Sequence, residues 1–193
     1  MRKKTLRDLK ARRLTALAFN AGIEITRDIA VHEAGHAVVA EFVGRRVRRV
    51  SVGFTARHIG GVTECVAKIY LNHELPNAFA VCCAGMVAGM LFSKQTCEQI
   101  EEGSQGDMEE IRRLLDQAIA LAAEAGWIGA PPTTEQFLPH AVKIGAAKAR
   151  EILETECAKK AVNYLADCLL TERSISGDRV REIIGRSSGE KAA

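Results

Sequence analysis

Val31-His32-Glu33-Ala34-Gly35-His36-Ala37 is the stretch on which the reading of this chain turns. It holds a His-Glu-x-x-His pattern between apolar flanks, Ile29-Ala30 before it and Val38-Val39 after it. Residues four apart on an α-helix differ by about 40° in direction, so both imidazoles leave the same face. Two neutral imidazole nitrogens can then grip one Zn²⁺ at about 2.0–2.1 Å. Glu33, one position on, can reach a water bound by the ion and take its proton as general base without being a ligand. Gly35, beside the histidine face, leaves room for a substrate to approach. The plain alternative is a solvated surface helix. The apolar setting disfavours it, because burying two histidines and a glutamate without partners is costly. At this chain's His and Glu content the pattern arises by chance in about one such sequence in a hundred, a strong hint and not proof.

Working outward, Thr26 is placed to cap this helix and Gly44 to stop it after about Val43. Val47 to Phe54 has a strand pattern, Gly60-Gly61 marks a turn or bulge, and Val62 to Leu71 reads as a second strand. Pro76-Asn77 opens an apolar helix to about Phe92. Ser93 to Gly106 is polar and glycine-containing, which predicts a loop. Asp107 then starts an amphipathic helix with Ile111, Leu114, Leu115, Ala118, Ile119 and Ala122 on one side and Gly126 at its end. Pro131-Pro132 breaks the chain, a long helix follows from about His140 to Leu170, and Ser176 caps a short final one. The fold class is α+β, mainly helical: a core helix bearing the motif, a small β-sheet and a C-terminal helical bundle.

The 193 residues fit one domain with short extensions. Residues 1–24 read as a basic helical arm, 25–185 as the domain and 186–193 as a flexible tail. Apolar and charged fractions of 47% and 26% exclude a disordered or collagen-like chain. The six cysteines form no Cys-x-x-Cys pair, against a zinc ribbon or a secreted disulfide scaffold. Cys82-Cys83 reads as buried free thiols in a reducing, cytoplasmic setting. No secretory signal is visible, and the strictly apolar run Ala78 to Phe92 is short for a membrane span, so it is expected to be a buried core helix. Residues 1–60 hold 13 basic and 5 acidic side chains and the remainder 14 and 19, so the net positive charge lies in the first part of the chain. The Arg45, Arg46, Arg48 and Arg49 cluster fits a solvated strand face, and with no aromatic interleaving no nucleic-acid partner is expected.

A catalytic zinc takes three protein ligands, so a third is needed. It is not at the metzincin spacing, where Phe42 stands. His58, His73, His140 and the acidic residues are candidates. Asp107 is attractive after Gly103-Ser104-Gln105-Gly106, although physical reasoning alone slightly favours it as an ordinary helix N-terminal acid.

His32-Glu33-Ala34-Gly35-His36 followed by Ala37-Val38-Val39 resembles the peptidase domain of FtsH-type ATP-dependent zinc proteases. The resemblance continues in order through Gly61-Val62-Thr63, Ala84-Gly85 to Leu91, and Gly103-Ser104-Gln105-Gly106-Asp107. It ends at Ile152-Leu153 to Leu169-Leu170 with Ser174-Ile175-Ser176-Gly177, and so covers about residues 25–185. It implies that His32, His36 and Asp107 bind Zn²⁺, that Glu33 is the catalytic base, and that Gly61, Val62 and Thr63 form the substrate-binding strand. Met86, Gly89 and Met90 stand where the family carries an arginine and two glutamates, and Gly106 replaces an asparagine. No Gly-x-x-x-x-Gly-Lys-[Ser/Thr] phosphate loop is present in the sequence. The implied function is a zinc endopeptidase acting on unfolded protein or peptides, alone, as a homo-oligomer, or with a separate unfoldase or adaptor. The alternative is a catalytically silent metal-binding interaction module. A nucleic-acid or membrane-surface binder acting through the basic arm ranks below both.

Overall fold

A computed structural model of the chain describes residues 26–54, 59–66, 74–126 and 132–189. The expected basic arm, His58 and His73 lie outside these residues. The described part is mainly helical, with seven helices and one three-stranded antiparallel sheet.

Helix α1 spans Arg27–Phe42 and is capped as expected. The Thr26 side chain accepts from the Ile29 N–H, and Asp28 adds negative charge in the first turn. At its other end Gly44, at φ +76°, donates to the Glu41 carbonyl, and the Arg45 N–H returns to the Ala40 carbonyl at 2.7 Å. That is a Schellman ending, and it fixes where the chain leaves the helix. Strand β1 follows at Val47–Phe54 and pairs antiparallel with β2, Ile59–Cys65. Gly60 and Gly61 are therefore strand residues opposite Gly53 and Val52, not the turn or bulge the sequence suggests. Val66 lies just past the strand's end, earlier than the expected Leu71.

Helix α2, Leu75–Phe92, opens with Pro76 in its first turn and is apolar all round, as a helix buried on most sides must be. By length and composition it could cross a membrane; 61% of it is buried inside the fold. It packs chiefly against α1 and against α5. Ser93 to Gly106 is not a loop. A short helix α3, Cys97–Gly103, forms there because Thr96 and Gln99 make a reciprocal capping box and Ile100 buries itself. Helix α4 then begins at Gln105, two residues before Asp107, and runs to Glu124, with Gly126 at φ +86° just beyond.

The expected single long helix is two. Helix α5, Thr134–Leu153, and helix α6, Glu156–Glu172, are separated at Thr155, whose hydroxyl caps the Ala158 N–H. Neither Gly nor Pro marks that break. Arg173 ends α6 in the left-handed region, and Ser174–Ser176 forms strand β3 on the opposite edge of β1 from β2. Ser176 caps the last helix, α7, Gly177–Ser187, as expected.

Two apolar clusters result. The larger joins α1, α2, the sheet, the end of α5, α6 and α7 around Val38, Val50, Leu153, Leu165 and Leu169. The smaller joins α2, α4 and α5 around Phe79, Ile111, Leu114 and Ala141.

Candidate metal centre

His32 and His36 leave α1 on the side covered by α2, and their Nε2 atoms lie 3.0 Å apart. Asp107 reaches them from the first turn of α4. It sits one helical turn before Ile111, whose complete burial against α2 directs that face inward. Its Oδ2 is 3.2 Å from each Nε2. A tetrahedral ion with bonds of about 2.0–2.1 Å separates its ligand atoms by about 3.3–3.4 Å, so the observed triangle fits one with little adjustment. His140, a further candidate, is exposed on α5. Among the described residues, His32, His36 and Asp107 form a group able to hold a metal ion.

The protonation pattern strengthens this. His36 Nδ1 lies 2.6 Å from the Val81 carbonyl, which can only accept, so the neutral ring carries its proton on Nδ1. Its Nε2 then offers a lone pair to the centre, with the carbonyl fixing ring orientation. Asp107 Oδ2 is buried, and no well-aligned hydrogen bond reaches it. The three atoms converge on one point that positive charge must occupy, a metal ion or, in its absence, a proton on His36. The field shows the same demand for positive charge. Burial alone would lower the His36 pKa, but the Asp107 and Glu33 carboxylates and the Val81 carbonyl outweigh it and lift the value to about 9. Burial opposes ionisation of Asp107 too, yet His36 foremost, with His32, holds its carboxyl below the usual carboxylate range.

Glu33 stands beside this triad and is 6% exposed. Burial pushes its carboxyl above the ordinary range against the pull of His36, His32 and the Thr63 hydroxyl. The Thr63 hydroxyl donates to Glu33 Oε2 at 2.8 Å, and it lies 3.1 Å from the Glu33 carbonyl. Thr63 and Gly61 are on the inward face of β2, while Val62 points out and is 37% exposed. Gly61 has to be glycine, because a Cβ there would sit 2.1 Å from Glu33 Cγ.

Two glycines take roles that differ from expectation or escaped it. The space at Gly35 is not open to a substrate. A Cβ would meet Ala88 Cβ at 2.5 Å and the Ala84 carbonyl at 2.8 Å, so Gly35 lets α2 approach α1. Gly85, given no individual role in the sequence reading, faces both rings. A Cβ there would lie 2.3 Å from His32 Nε2 and 2.5 Å from His36 Nε2. Its signal was present as a glycine inside an apolar helix, which often marks close approach by another group.

Two cavities meet at the centre, both lined by Glu33, Gly61 and Asp107. One of about 490 Å³ lies on the His32 side below α3 and the start of α4. The other, about 260 Å³, lies on the His36 side along Val62, Thr63 and Cys65. Together they form a groove beside the outer edge of β2, which among the described residues pairs only with β1. No protein-family model matches the chain, and no curated protein matches it significantly.

Proposed function

We propose that this chain is a zinc endopeptidase for unfolded or flexible polypeptides, resembling the peptidase domain of FtsH-type proteases. The observation that carries this reading is the meeting of His32, His36 and Asp107 within 3.2 Å of one another, with the buried Glu33 alongside. His32, His36 and Asp107 would hold the zinc, which when bound polarises a carbonyl as a Lewis acid and acidifies water.

The remaining work falls to this chain's own side chains. Glu33 accepts a proton from the attacking water as the new C–O bond forms, its carboxylate standing beside the triad and buried from bulk solvent. It then delivers the proton to the leaving nitrogen as the C–N bond breaks, giving a carboxylate and an amine. Thr63, bonded to Oε2, keeps the carboxylate from turning away. An extended peptide lying along the edge of β2 at Gly61-Val62-Thr63 is aligned by main-chain hydrogen bonds, which read backbone and leave sequence choice to the flanking pockets. Such an arrangement needs substrates that are already extended.

The deciding measurement is bound zinc together with hydrolysis of an unstructured protein, for wild type and Glu33→Gln. Cleavage lost with zinc retained supports the enzyme. Equal cleavage in both removes Glu33 from its role. Zinc bound without cleavage in either protein leaves the silent metal-binding module as the better reading.

A further inference from the structure

Residues 1–25 lie outside the described part of the chain and join it at Thr26, the cap of α1. That junction lies close to the candidate centre. His32 is six positions further on, about 9 Å along the helix. Ile29, between the two, lines the 490 Å³ cavity on the His32 side. Arg27 holds the junction to α6 through Asp167 and Asn163, so the point from which residues 1–25 depart is fixed beside that cavity.

The cavity and the segment carry opposite charge. Residues 97–110, which form α3 and the first turns of α4, hold six acidic side chains and no Lys, Arg or His. Of these, Glu102 and Glu109 line the cavity with Asp107 and are exposed. Neither has a hydrogen-bond or ion-pair partner among the described residues, whereas their neighbour Glu110 is paired with Arg113. A divalent ion at the centre offsets Asp107 and Glu33 and leaves Glu102 and Glu109 uncompensated. Residues 1–25 hold seven Lys or Arg against two acids. Lys10 is sixteen residues from Thr26, a reach of about 24 Å in a helix and about 50 Å extended. So short a tether presents these charges to the cavity at an effective concentration of about millimolar, at which weak exposed ion pairs suffice.

We propose that residues 1–25 of this chain dock in the His32 side of the groove, with their Lys and Arg side chains on Glu102 and Glu109, and compete there with any arriving polypeptide. The competition rests on the peptidase reading; the docking does not.

Zero-length carbodiimide coupling joins a lysine amine to a carboxylate only where the two touch, and it is applied to the full chain with peptide mapping by mass spectrometry. Lys3, Lys4 or Lys10 should couple to Glu102 or Glu109 at about tenfold the yield found at Glu172, an exposed acid on α6. Combining Arg2→Gln, Arg7→Gln, Arg12→Gln and Arg13→Gln keeps the lysines and should cut that yield about fivefold at unchanged melting temperature. Glu102→Gln should lower coupling at Glu109 as well. Coupling chiefly to Asp167 or Glu172 would put the segment on α6. Coupling between isotopically labelled and unlabelled copies would make the occupant a second molecule. Either result, or no preference for Glu102 and Glu109, overturns the assignment. With zinc present, the fourfold arginine variant should hydrolyse a neutral unstructured protein several-fold faster than wild type, and an equal rate would overturn the competition. Coupling at Glu102 and Glu109 in a protein that never cleaves would sink the peptidase reading alone.

Discussion

The histidines and the aspartate of the candidate centre belong to differently built parts of the molecule. His32 and His36 project from α1, which is embedded in the larger cluster with the sheet, α6 and α7. Asp107 projects from α4, which joins the fold through a smaller cluster with α2 and α5. The larger cluster buries residues from seven elements; α4 contributes mainly Ile111, Leu114 and Leu115 to the smaller. The centre therefore straddles a seam, and α2 borders both sides. A cation bound there ties the lesser layer to the greater, so its occupancy should depend on how well the two are assembled.

Core truncations give the largest expected effect. Leu165→Ala and Ile111→Ala each remove a fully buried side chain, at a cost of about 2–5 kcal/mol in denaturant melts. They should part company in hydrogen exchange of the metal-free protein. Ile111→Ala should expose α4 and α5 amides while α1 and α6 stay protected, whereas Leu165→Ala should loosen α1 and α6. Uniform loosening by both would dissolve the distinction between the two layers.

Asp107→Ala comes next. Losing an outer partner of a metal ligand costs about 10–100-fold in affinity, so losing the ligand should weaken zinc binding by more than about a hundredfold in chelator competition. Zinc should also stop raising the melting temperature of the α4 layer in that variant.

A pair of glycine substitutions should sharpen the comparison at the seam. Gly35→Ala and Gly85→Ala both overpack the α1–α2 contact, each costing about 1–3 kcal/mol. Gly85→Ala also pushes into both Nε2 atoms and should weaken zinc binding strongly, while Gly35→Ala should leave most of it. Comparable zinc loss in the two would mean that helix spacing, not ring placement, governs the centre.

Thr63→Val should have the smallest effect. It removes one hydrogen bond to Glu33, worth about 1 kcal/mol, so peptide hydrolysis should fall several-fold with zinc affinity unchanged.

Local chemistry made much of this legible. Thr26, Gly44 and Ser176 mark helix ends because capping is a short-range effect, and α1, β1, α2 and α7 fall where they were expected. The α3 helix and the Thr155 break were missed for a different reason. Polar capping residues start and stop helices there without Gly or Pro to advertise them. Gly60-Gly61 misled in the opposite sense, because Gly61 serves a contact with Glu33, far upstream in the chain, not a turn. The histidine pair was readable from spacing on one helix. Nothing local pairs it with Asp107, since the two meet only through the docking of α4 on α2, and Arg45 turns inward beside three exposed neighbours for equally non-local reasons.

The little strand β3 shapes what the sheet can recruit. Being three residues long, it occupies one flank of β1 and presents too few main-chain groups of its own to template another polypeptide. On the far flank β2 presents seven residues, beside the groove that holds Glu33. The sheet is in effect a one-sided zipper, and under the proposed function a visiting chain that closes it would be delivered to Glu33 and the histidine pair by the same act.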